Sequence, residues 1–133
     1  MKFALRGILF LLALAILWYV SQALASESGE VVVLTTHSDV DATHTTRLWV
    51  VDAEGNAWLR SGSPESSWYR RLVVRPDIEV ERNGTAVSYT ARPEAEKRDE
   101  INRLMQQKYG WADSYIAFWF GREDSIPVRL VPR

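Results

Sequence analysis

Lys2 and Arg6 stand before an unbroken apolar run, Gly7-Ile-Leu-Phe-Leu-Leu-Ala-Leu-Ala-Ile-Leu-Trp-Tyr-Val20, and this run constrains the chain more than any other feature. Two readings of it stay open. From Gly7 to Ala25 there are 19 residues, which as a helix rising about 1.5 Å per residue span about 28 Å, close to the thickness of a bilayer core. Trp18 and Tyr19 then lie near the far interface, where amphipathic rings settle. Alternatively, Ser21-Gln22-Ala23-Leu24-Ala25 closes a signal peptide, with Ala-x-Ala before Ser26. In both readings the cations stay cytoplasmic and the rest of the chain faces outward, to the periplasm or exterior. The first gives a single-pass protein of the cytoplasmic membrane, in contact with lipid through residues 7–25. The second gives an exported soluble protein. A core helix is disfavoured by the terminal position and the flanking cations. Only Arg6 stands directly before the run, where a twin-arginine signal needs a pair, so export is of an unfolded chain.

Residues 1–25 are thus an anchor or signal peptide, 26–30 a polar linker, and 31–133 one domain with room for a single core. Apolar residues at 47% and charged residues at 25% give a globular composition, not a disordered one. Without residues 1–25, 14 basic residues face 17 acidic ones, a net charge of −3. A mildly acidic domain with no basic block argues against nucleic acid as a partner. There is no cysteine, which excludes disulfides, thiol nucleophiles and thiolate metal sites. His37 and His44 border a polar loop with Asp39 and Asp41, but no HExxH-like spacing exists and no metal is expected. Gly-x-Ser-x-Gly is absent too, which removes a nucleophile-elbow hydrolase.

Along the domain, Val31–Thr36 reads as a buried strand and His44–Asp52 as a second. Ala53-Glu-Gly-Asn56 turns the second into a third, Ala57–Ser61. Ser66 or Ser67 caps a short helix to about Val74, ahead of Pro76. Ile78–Arg82 and Thr85–Ala91 flank Asn83-Gly84, the strongest hairpin signal in the chain. A helix from Pro93 or Glu94 to Tyr109 carries Ile101, Leu104, Met105 and Tyr109 on one stripe and ends at Gly110. Trp111–Phe120 is a second, aromatic-rich helix. Ile126, Val128 and Leu130 alternate in a last strand, which Pro127 assigns to an edge. Six mostly antiparallel strands with late helices predict an α+β domain or small barrel.

The succession Val31–Thr36, Thr45-Thr-Arg-Leu-Trp-Val-Val-Asp52, Leu59-Arg-Ser-Gly62, Trp68-Tyr69, Arg75-Pro-Asp77, Ile78-Glu-Val-Glu81 and Ile126-Pro-Val-Arg-Leu-Val-Pro132 resembles the deazaflavin-dependent nitroreductase and quinone reductase family. That family belongs to the split β-barrel superfamily of pyridoxamine-phosphate-oxidase-like flavoproteins. The resemblance covers residues 31–133. It implies a six-stranded split β-barrel with inserted helices, a homodimer, and FMN or a deazaflavin in a groove along the barrel. The cofactor would carry a hydride to a quinone or nitroaromatic, with no side chain needed as acid or base. The family's basic turn after the first strand is replaced here by His37-Ser-Asp-Val-Asp-Ala-Thr43, which has two acids and no cation. A non-catalytic barrel holding a small ligand or haem is therefore the alternative.

The candidate cofactor-binding residues are Arg47, Arg60, Ser61, Gly62, Trp68 and Arg71. Arg47 sits mid-strand beside Trp49, where it can hold a phosphate or pair with an acid. Arg60, Ser61 and Gly62 end a strand, and Gly62 lets backbone approach a ligand. Trp68 and Arg71 lie at a helix start, which offers free N–H groups to an anion. Each also has an ordinary structural reading: a solvated arginine, a strand-end turn, a core tryptophan. The aromatics of 109–120 suit core, dimer contact, a pocket or a membrane interface.

Overall fold

A computed structural model describes residues 1–26, 29–38 and 42–133. Part of the expected linker and the acids Asp39 and Asp41 fall outside the described residues. Among the described residues there are seven strands: β1 (Val31–His37), β2 (Thr43–Trp49), β3 (Val51–Ala53), β4 (Asn56–Ser61), β5 (Asp77–Arg82), β6 (Thr85–Pro93) and β7 (Ile126–Pro132). All pair antiparallel in one sheet ordered β2-β1-β5-β6-β7-β4-β3. Its two edges, β2 and β3, are separated in sequence by Val50 alone, so the sheet must curl back on itself into a half-barrel.

That junction corrects the expected six strands to seven. His44–Asp52 is not one strand because the backbone of Val50 is taken out of the ladder by side chains. Its N–H donates to the Tyr109 hydroxyl at 3.0 Å, and its carbonyl accepts from Lys108 Nζ at 2.8 Å. A buried backbone group needs a partner, and here a helix end supplies both. Trp49 stacks on the Tyr109 ring at 4.3 Å between centroids. Gly29, at φ +74°, passes so close that a Cβ there would lie 3.1 Å from that ring.

Both expected hairpins form. Glu54-Gly55 and Asn83-Gly84 hold positive φ at both turn positions, as a type I′ turn requires. Helix α1 (Lys2–Ser26) is apolar and exposed through Val20, and long enough to cross a membrane. Helix α2 (Ser67–Val74) starts where expected, although Ser66 makes no side-chain cap bond. Helix α3 (Arg98–Tyr109) starts later than expected, after a single 3₁₀ turn at Ala95–Lys97. Strand β6 runs through Pro93, still paired with Val128, and delays it. Helix α4 (Trp111–Phe120) follows directly.

Pro127 is not at an edge, since β7 lies between β6 and β4. It is tolerated because the Pro127 carbonyl already faces the departing chain, accepting from Glu94 N–H at 2.9 Å. The facing Glu94 carbonyl needs no donor from residue 127, because it accepts from Lys97 N–H at 3.1 Å. Two apolar clusters fill the domain. One joins Val32, Leu34, Trp68, Leu72, Ile78, Val128 and Leu130 beneath α2. The other joins Trp58, Ile101, Met105 and Tyr109 beneath α3, with Leu104 only partly buried.

Ion pairs stitch the β5–β6 turn to the start of β1 and to β3. Arg82 reaches Glu30 at 2.9 Å and Asp52 at 2.8 Å. Its hydrogen bonds hold Glu30 below its ordinary 4.5 and Asp52 below its ordinary 3.8. Groups depressed in the folded state stabilise it above their unfolded values, and that contribution is lost as pH falls through the folded ones. The urea midpoint should therefore hold from neutral pH to about 5 and decline below about 4.5, less steeply in Arg82→Gln. An identical acid slope in wild type and variant would contradict this.

Candidate functional site

Arg60 leaves β4 with its side chain only 6% exposed, and burial needs a counter-charge. Asp113 of α4 provides one, 4% exposed and 2.6 Å from the guanidinium. Arg122, just beyond α4, reaches the same Asp113 Oδ1 at 2.7 Å. Asn102 of α3 accepts from Arg60 at 3.3 Å and from Ser125 Oγ at 3.1 Å. Two cations therefore share one carboxylate, leaving a positive charge uncompensated within this trio. Burial and then the cation of Arg122 push the Arg60 guanidinium below its ordinary value. Arg122 Nε is buried with no hydrogen-bond acceptor among the described residues.

This cluster borders a cavity of about 240 Å³ lined by Arg47, Leu48, Trp49, Arg60, Gly62, Met105, Ile116 and Arg122. Three guanidinium groups beside apolar and aromatic side chains suit an anion carrying an aromatic or lipophilic body. The donor set fits a flavin-type cofactor in charge and chemistry: forks for phosphate or ring carbonyl oxygens, with Trp49 beside them for a ring.

The structure brings together Arg47, Arg60 and Gly62 from the six expected residues. Ser61 is buried next to them, its hydroxyl donating to the Ser63 carbonyl at 2.6 Å. Trp68 sits in the core beneath α2, 8% exposed. Arg71 faces elsewhere, lining a second cavity of about 330 Å³ with His37, Ser38, Ser67, Arg70 and Val74. There it donates to Thr36 Oγ1 at 2.8 Å. Asp113 and Arg122 were missed by the sequence reading. The available signal was Asp113 itself, the one charged residue in a mostly apolar helix, whose burial calls for cations. Among the described residues no cluster of metal-ligating side chains occurs.

The family model described as "Uncharacterized protein conserved in bacteria (DUF2255)" matches residues 22–125. No curated protein matches the chain. Among solved structures, a conserved hypothetical protein from Mycobacterium tuberculosis superposes with TM-score 0.62 at 16% identity, over 86% of this chain and 79% of that one. An F420-H2 dependent reductase gives 0.60 at 20% identity, over 75% and 93%. A putative pyridoxamine 5'-phosphate oxidase from Listeria innocua gives 0.58 at 16% identity, over 82% and 88%. At these identities the likeness shows the fold alone.

Proposed function

This chain belongs to DUF2255, a family of uncharacterised proteins conserved in bacteria, and we propose that it is a membrane-anchored oxidoreductase using FMN or a deazaflavin to reduce a quinone or nitroaromatic. The observation that carries this is the pair Arg60 and Arg122 converging on a single oxygen of Asp113 beside an apolar cleft. The fold shared with an F420-H2 dependent reductase supports it. When bound, the cofactor supplies the hydride-carrying ring. The chain's own residues bind and orient: Arg47, Arg60 and Arg122 hold the anionic part, Gly62 admits close backbone approach, and Trp49 and Met105 exclude water. Helix α1 keeps the domain at the membrane, where lipophilic quinones reside. The same reading has the chain act as a homodimer.

One observation favours a non-catalytic binding module instead. The cavity, about 240 Å³, is smaller than the roughly 300–1,000 Å³ usual for organic ligands.

Titration separates the two. FMN and a deazaflavin are added to wild type, Arg47→Ala and Arg71→Ala. Losing a charge-assisted bond from Arg47 should weaken binding about ten- to hundred-fold, while Arg71→Ala, on the other cavity, binds as wild type. The reverse pattern moves the site to the Arg70–Arg71 cavity. Binding of neither cofactor to wild type replaces the oxidoreductase with the binding module.

A further inference from the structure

Helix α4 turns its single charge, Asp113, inward and its large rings outward. Trp111, Phe118, Trp119 and Phe120 are 62%, 81%, 49% and 67% exposed. The last turns of α1 fix α4 in place. Ser21 Oγ lies 2.6 Å from the Tyr115 hydroxyl, and Trp18 meets Trp119 edge-on at 5.9 Å. From Trp18 to Ala25 the helix rises about 10 Å at 1.5 Å per residue. If α1 spans a bilayer, α4 lies alongside the outer end of that span.

We propose that the exposed aromatic face of α4 is a membrane-contact surface, seated among the headgroups and upper acyl chains of the leaflet the domain faces. This rests on reading α1 as an anchor. The occupant is lipid rather than a second copy because the face continues the exposed apolar surface of α1 and carries no charged side chain that lipid would have to desolvate. Tryptophan and phenylalanine favour that depth, and an interfacial helix buries its apolar side about 5–10 Å. Tyr19, Gln22, Ala23, Ile116 and Phe120 line a cavity between the two helices. Ile116 also lines the arginine cleft, so the two cavities adjoin.

The chain has no cysteine, so single labels are unambiguous. Nitroxide is attached to the full chain in lipid nanodiscs at Leu12→Cys, Phe118→Cys, Phe120→Cys and, as an aqueous reference, Ser88→Cys. Collision with oxygen and with a soluble nickel chelate reads depth. The expected result is an oxygen-to-nickel ratio severalfold above that of Ser88 at positions 118 and 120, and higher still at 12. Lipid-like values at 12 with water-like values at 118 and 120 overturn the proposal and leave the anchor standing. Water-like values at all three overturn both. Spin–spin broadening at 118 and 120 with low access to both reagents assigns the face to a second copy, and the lipid proposal falls.

Discussion

Asp113→Asn should lower the unfolding free energy by about 3–5 kcal/mol, the cost of removing one partner from a buried ion pair. The side chain keeps its size, so no cavity opens and the effect is electrostatic. Arg60, 6% exposed, would be left with no carboxylate in contact. Arg122 is 18% exposed and regains some hydration, which places the loss toward the lower end. The same variant should bind sulfate or phosphate more tightly than wild type, because the trio's surplus charge doubles. An added anion should then restore part of the lost stability by mass action. Urea unfolding with and without sulfate measures both. A loss under about 1 kcal/mol, or no recovery with sulfate, would show that the cluster is well solvated and that its charge surplus does not draw anions.

Ile101→Ala should cost about 2–5 kcal/mol, and Leu104→Ala clearly less. Ile101 is fully buried against Trp58, Met105 and Tyr109. Leu104 shares the helical stripe but lies at its margin, partly exposed. Truncating Ile101 leaves a void that the stacked Trp49–Tyr109 pair cannot easily fill, since the Tyr109 hydroxyl is held by Val50 N–H and donates to the Glu30 carbonyl at 2.6 Å. Denaturant midpoints compared at equal slope give the two values. Equal losses at both positions would mean that α3 is rotated from the orientation described.

Which features were legible in the sequence follows how local their causes are. Asn83-Gly84 and Glu54-Gly55 announce their turns because positive φ at two adjacent residues is a local demand. The stripe through Ile101, Met105 and Tyr109 is likewise a matter of helical spacing. The break at Val50 was not legible, because its partner is a hydroxyl 59 positions away. Pro127 misled for a related reason: proline reveals a missing donor, not the direction in which that donor would have pointed. At the candidate site, Arg47, Arg60 and Gly62 were readable as a basic strand end. Asp113, 53 positions from Arg60, belongs to a tertiary pairing that no spacing rule encodes. Trp68 illustrates the same limit, since an aromatic at a helix start suits a ligand or a core equally until its neighbours are known.

The central claim, that this chain carries a redox-active ring beside the membrane, is met most directly by the absorption spectrum of the full chain purified from its native membrane. A flavin or deazaflavin retained by Arg47, Arg60 and Arg122 should give a near-ultraviolet to blue band that bleaches on chemical reduction and returns with an added quinone. A colourless chain, or a band unchanged by reductant, would contradict the oxidoreductase.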